Sequence, residues 1–152
     1  MNIESRLPPI TRADLDSFER ETGLELVPEY RDFLLAHNGG RPESNSIDLP
    51  GLDDATGVND FLGLRAGDDH DLRRELAVYD GRIPPGALPF AEDPGGNLFL
   101  LSLAGGTRGA VFFWDHEEEP VDAVDWSEFG NVHRIAGSFE EFLASIRPDE
   151  GE

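Results

Sequence analysis

The sequence predicts an α+β fold, one domain over residues 1–152 in which helices pack on a mostly antiparallel sheet. Three observations carry that expectation. Amphipathic stretches with helix-start signals stand near both ends of the chain, over 11–37 and from Ser138 onward. Between them "NLFLLSL" (97–103) and "GAVFFWD" (109–115) are nearly unbroken apolar runs joined by "AGGTR", the pattern of a hairpin with a glycine-rich loop. Finally, 152 residues with 38% apolar content suffice for one core and are too few for two.

Each element has its own local reason. Thr11 is placed to cap the amides near Asp14, Ile10 to pack on Leu15, and Gly23 to stop a first helix whose Leu15 and Phe18 face inward. Pro28 suits the first position of a second helix, which puts Tyr30, Phe33, Leu34 and His37 on one stripe before "NGG" (38–40) breaks it. Over 44–64 the apolar pieces are short and separated by turn residues, which predicts short strands and loops. Leu72, Leu76 and Tyr79 recur at helical spacing within a third helix expected over 69–79. "LPFAED" (88–93) then leads through "PGG" into the hairpin, and "VHRIA" (132–136) adds a strand. The unbroken apolar character of the hairpin predicts cover on both faces of the sheet. Ser138 and Glu141 form a capping-box pair opening a last helix, which buries Phe139, Phe142, Leu143 and Ile146 and stops before Pro148.

Composition narrows the function. With no cysteine there are no disulfides, thiol nucleophiles or thiolate metal sites, which fits a reducing compartment. No run approaches the roughly 20 apolar residues of a membrane-spanning helix. The opening "MNIESRLPPIT" lacks the apolar centre of a secretory signal, so a cytoplasmic location is expected. The 32 acids against 12 basic residues, all arginine, give a formal charge of −20. Such a chain repels phosphates, which argues against direct nucleic-acid or membrane binding. A basic protein partner and adaptation to a salty cytoplasm both account for the acidity. The sequence leaves them open.

No motif for catalysis or for a bound group emerges. There is no HExxH, calcium-loop or GxSxG pattern, and the glycine clusters lack the lysine of a phosphate loop. In a continuing strand His116 points away from Asp115 and Glu117, so a metal there needs ligands from elsewhere, such as His70 with Asp68 or Asp71. The expectation is therefore no catalytic residue, no cofactor and no metal. What does stand out is clustered acid beside tryptophan. Asp115, Glu117, Glu118, Glu119, Asp122, Asp125 and Trp126 form the candidate partner-binding segment, and Asp68, Asp69 and Asp71 a second patch. Trp114 reads as core. Trp126 reads as an interface anchor.

The strings "FERETGLELVPEYRDFLLAHNGGRPE" (18–43), "LPFAEDPGGNLFLLSL" (88–103), "GAVFFWDHEEE" (109–119) and "SFEEFLASI" (138–146) resemble, in order, the SUKH superfamily of Smi/Knr-type proteins. Glu19, Pro28, Tyr30, Asn38, Gly39, Gly40, Gly96, Asn97, Trp114, His116 and Phe139 match its pattern; 44–80 aligns least. The resemblance implies an α+β domain without enzymatic activity. For bacterial members it implies immunity, in which a cytoplasmic protein binds and blocks a cognate toxin domain, often a nuclease or deaminase. Fungal relatives are linked instead to cell-wall regulation and signalling. An acidic face suits a toxin with a basic active site. The alternative is a regulatory scaffold of the same family, its acidity serving a saline cytoplasm. The matched residues read as determinants of the fold and are not carried over as contacts.

Overall fold

The computed structural model describes residues 2–4, 7–64 and 70–148. In chain order its elements are β1 (Ile3–Glu4), α1 (Arg12–Thr22), α2 (Pro28–Ala36), β2 (Arg41–Pro42), β3 (Ser46–Leu49), β4 (Asp54–Gly57), β5 (Asp60–Phe61), α3 (Leu72–Val78), β6 (Ala87–Glu92), β7 (Leu98–Ser102), β8 (Val111–Trp114), β9 (Val132–Ala136) and α4 (Phe139–Ala144). The last five strands make an antiparallel meander in the order β5-β6-β7-β8-β9. β1 pairs antiparallel with β2 across the intervening helices α1 and α2, and β3 with β4 forms a small hairpin. This is the α+β arrangement that the sequence predicts.

The helix ends follow from their side chains. Thr11 Oγ1 accepts the Asp14 N–H at 3.3 Å and the Asp14 carboxylate takes the Thr11 N–H at 2.8 Å, a closed capping box at the start of α1. Gly23, at φ 74°, ends that helix in the left-handed region. α3 starts later than its apolar spacing predicts. The Asp71 carboxylate accepts the N–H groups of Arg73 (2.8 Å) and Arg74 (3.2 Å), so the first helical residue is Leu72. At α4 the expected capping box is half formed. Ser138 accepts the Glu141 N–H at 3.1 Å, but the Glu141 carboxylate takes the N–H of Gly137.

Alternation along β6, β7 and β8 sorts the sheet's side chains between two cores. Phe99, Leu101, Val111 and Phe113 face the larger one, against Leu15, Phe18, Tyr30, Phe33, Leu34, Phe139 and Phe142 of the helices. Phe139 is its hub, with its ring centre 5.1 Å from those of Tyr30 and Phe33 and 5.4 Å from that of Phe90. Leu98, Leu100, Phe112 and Trp114 face a smaller core, covered by Ile83 and by partly buried Tyr79, Trp126 and Val132. Both faces are thus covered, as the apolar runs predict. On the second face the cover is irregular chain from 79–87 and 116–131, not helix.

Three polar clamps join distant segments. Asn38, buried, donates to the carbonyls of Pro8 (2.9 Å) and Leu64 (3.1 Å) and accepts the Leu64 N–H (2.7 Å). Asp93, also buried, accepts from the N–H groups of Gly95 and Asn97, the Asn97 amide and the Thr56 hydroxyl. Glu19 accepts the Leu26 N–H at 2.8 Å and pairs with Arg31, tying α1 to α2. Beside Asn38, Gly40 has φ 132°, and a Cβ there would meet the Glu4 carbonyl oxygen at 2.4 Å. Only glycine fits.

Candidate partner-binding surface

The acidic segment leaves β8 at Trp114 and returns to β9 at Val132. Its base is tied by a reciprocal pair: the Asp115 N–H donates to the Asn131 carbonyl (3.0 Å), and the Asn131 amide donates to the Asp115 carbonyl (2.9 Å). Asp115 then caps a 3-10 turn, His116–Glu118, by accepting the Glu117 N–H at 2.9 Å. The His116 N–H is held by Asn97 Oδ1 at 3.0 Å. β8 therefore stops before His116, so the alternation that a continuing strand would impose there does not apply. His116 is exposed, beside Gly96.

The rest of the loop is pinned at two points. Glu119 makes a two-pronged contact with Arg82, at 2.8 and 3.2 Å, which holds the guanidinium over the Tyr79 ring (4.8 Å) and further fixes its charge. Trp126 packs on Phe112 with ring centres 4.9 Å apart, and its indole N–H reaches the Pro85 carbonyl at 2.8 Å. Asp125 caps the 3-10 turn Trp126–Glu128, whose Glu128 reaches back to the Asp125 N–H at 2.9 Å. Between the pins, Val121 and Val124 are 88% and 69% exposed, and Asp122 holds φ 61°. From Asp115 to Asn131 there are seven acids and no lysine or arginine, so Arg82 alone cannot neutralise the loop.

The predicted residues thus divide. Glu117, Glu118, Asp122 and Asp125 are exposed along one loop, while Asp115 and Glu119 are partly covered and engaged in holding it. Trp126 is partly buried and lines the smaller core. Its indole serves as a pin on the inner side of the loop, a role that its acidic neighbours in sequence did not signal. Asp71 requires correction. It is 3% exposed and spends its carboxylate on the start of α3, so it presents nothing to a partner. Asp68 and Asp69 lie outside the described residues.

His70 sits with Asp60 and Glu92, and of the partners weighed from the sequence Asp71 is not in the group while Asp68 lies outside the described residues; His70 Nδ1 is 3.1 Å from Glu92 Oε1. Among the described residues this is the one group of three side chains with metal-ligand reach, and His116 is not in it. Sequence spacing could not reveal it, since the three come from separate elements. Burial pushes the Glu92 carboxyl up, His70 pulls against it, and the nearby Asp60 and Asp93 carboxylates add to the rise. No helix of the described residues is long and apolar enough to cross a membrane.

Helices on one face of an antiparallel meander, inward-turned clamps at Asn38 and Asp93, and an acidic loop closing the other face define an α+β domain of SUKH type. The chain belongs to the SMI1 / KNR4 family (SUKH-1), whose family model matches residues 9–145. It is also similar to the SPbeta prophage-derived uncharacterized protein YokK of Bacillus subtilis (strain 168), with 29% identity over an aligned 159 residues covering 93% of this chain and 77% of that protein. The family consists in general of immunity and regulatory proteins without enzymatic activity.

Proposed function

We propose that this chain is an immunity-type protein that binds a basic toxin domain and blocks it sterically and electrostatically through the loop 115–125. The observation that carries the reading is the loop itself: seven acids without a lysine or arginine between Asp115 and Asn131, held in shape by Arg82 and Trp126. A preformed acidic surface loses little ordering entropy on binding, and it attracts a partner whose own groove is built for phosphate. Val121 and Val124 supply apolar contact inside the acidic ring. Asp115, Glu117, Glu118, Glu119, Asp122 and Asp125 provide the charge, the exposed four by direct contact and the other two by shaping the loop. Family membership supports a protein partner, and the net charge of −20 argues against nucleic acid as the direct one.

The test is co-expression and binding with the basic C-terminal domain of any large toxin-like protein encoded next to this gene. Glu117→Arg, Glu118→Arg and Asp122→Arg together should weaken binding at least about a hundredfold and abolish protection. The same charge change at exposed Glu25, Glu43 and Asp80 should leave both nearly intact. Equal effects from the two sets would refute the loop assignment and favour acidity that serves solubility in salt.

A further inference from the structure

Asp60, His70 and Glu92 meet at the edge of the five-stranded sheet. Asp60 opens β5 and Glu92 closes β6, and the two are direct partners across the ladder. His70 arrives from the turn before α3, its carbonyl accepting the Gly63 N–H at 2.9 Å. One ligand-type atom from each of the three lies within 4.8 Å of the other two. Donor atoms at neighbouring positions around an ion, each about 2.1 Å from it, are roughly 3–3.5 Å apart. The His70–Glu92 distance of 3.1 Å already meets that spacing, and small side-chain rotations bring in Asp60. Asp60 is 3% exposed and the other two are partly covered, so the donors converge out of bulk water.

The surroundings are those of an oriented site. Asn59 touches both carboxylate residues, its N–H donating to the Glu92 carbonyl at 2.8 Å and its side-chain amide to Asp60 Oδ2 at 2.9 Å. The second contact fixes the direction in which the Asp60 carboxylate points, and the first holds the backbone from which Glu92 projects. Two carboxylates directly opposite on neighbouring strands repel each other, a cost that a shared cation removes.

We propose that Asp60, His70 and Glu92 form a site for a divalent transition-metal ion, zinc foremost, with three protein ligands and the remaining coordination completed by water. One imidazole nitrogen and two carboxylate oxygens suit zinc better than magnesium or calcium, which favour oxygen alone. The ion joins β5 and β6 to the segment leading into α3, as a structural clamp. This inference is independent of the toxin-binding reading, since none of its residues belongs to the loop 115–125.

Calorimetric titration of the chelator-treated full chain with zinc chloride tests it, in about 0.15 M salt to screen the acidic surface. The expected result is one saturable site per chain with Kd in the micromolar range or tighter, weakened at least about tenfold by His70→Gln and by Glu92→Gln and unchanged by Asp122→Asn. Absence of saturable binding, or affinity that survives both ligand substitutions, would overturn the proposal. A second measurement needs no variant. Trace manganese should broaden the ring NMR signals of His70 before those of His37, His116 and His133, and broadening of His116 first would equally overturn it.

Discussion

Replacing Trp126 separates a residue that holds the acidic loop from one that touches a partner. The indole lies on Phe112 with its N–H on the Pro85 carbonyl. About 150 Å² of covered ring at ~25 cal/mol per Å² is worth about 4 kcal/mol, with about 1 kcal/mol more from the hydrogen bond. Residual structure in the unfolded chain reduces the apolar share by roughly 10–40%, which leaves about 3–4 kcal/mol for Trp126→Ala. For a chain of this size that is a fall in Tm of about 6–16 °C, read by thermal melting alongside urea unfolding. Trp126→Phe keeps most of the stacking and should cost only about 1–2 kcal/mol. If Trp126→Ala melted within about 2 °C of the parent, the loop would not be pinned as described. If Trp126→Phe abolished partner binding while its stability held, the indole would be a contact, and the division between pin and surface would be wrong.

Other consequences can be checked with the same unfolding measurements. Asn38→Ala strips three hydrogen bonds and strands buried backbone groups of Leu64, so a loss of about 2–4 kcal/mol is expected in urea. Gly40→Ala should destabilise more than Gly23→Ala: both have positive φ, but only the first drives a Cβ into the Glu4 carbonyl, whereas nothing lies within 4 Å at Gly23. Phe139→Ala removes the ring shared by the helices and the sheet and should cost about 3–5 kcal/mol. Tyr30 makes a pH-dependent case. Its hydroxyl is buried without a hydrogen-bond partner among the described residues, and burial pushes the phenol well above its usual 10.0. The folded chain therefore keeps this proton when the unfolded chain releases it. The stability contribution is complete below pH 10 and falls by about 1.4 kcal/mol per pH unit above it. Tyr30→Phe should be neutral or stabilising near pH 7, and urea midpoints taken above pH 10 should fall less steeply than in the parent.

What was legible in the sequence is what short-range physics decides. The Thr11 cap, the Gly23 stop and the Pro28 start each depend on residues a few positions apart, the apolar runs of β7 and β8 are joined by one glycine-rich connection, and the fold realises all of them. The start of α3 was misjudged because apolar spacing extends past the point where Asp71 turns inward to cap, and no periodicity marks a capping carboxylate that becomes buried. The turn at His116 lay beyond the sequence for a related reason. Where β8 ends is decided by the Asp115–Asn131 and His116–Asn97 contacts, which span 16 and 19 residues. The grouping of Asp60, His70 and Glu92 is longer in range still, and depends on the register of β5 against β6. The family-pattern residues resolve into definite tasks, most of them also long in range: Pro28 starts a helix, Asn38 clamps Pro8 to Leu64, Gly40 admits the Glu4 carbonyl, and Asn97 links Asp93 to His116.

Because the acidic loop also roofs the smaller core, the recognition proposed for it would draw on residues that also serve stability. Reversing the charge of Glu119 removes the partner of Arg82, whose backbone carbonyl accepts the Trp114 indole N–H at 3.0 Å, so the damage reaches the core. Asp115 and Asp125 each cap a 3-10 turn, and their loss frees the loop as well as removing charge. Glu117 and Glu118 carry no such duty beyond their backbone, and neither does the side chain of Asp122. At Asp122 the positive φ restricts the choice: asparagine and glycine tolerate it, whereas a β-branched residue adds strain to the loss of charge. A loop shaped this way can change its outermost charges at little cost to the fold while its pins stay fixed. Under the proposed function, partner specificity could therefore drift at Glu117, Glu118 and Asp122 without passing through an unstable protein. Arginine at Glu117 and Glu118 should accordingly move Tm by no more than about 2 °C while altering affinity, and arginine at Glu119 should lower both. Melting all three variants beside a binding titration tests this, and an equal loss of stability at Glu117 and Glu119 would show that shape and charge cannot be separated here.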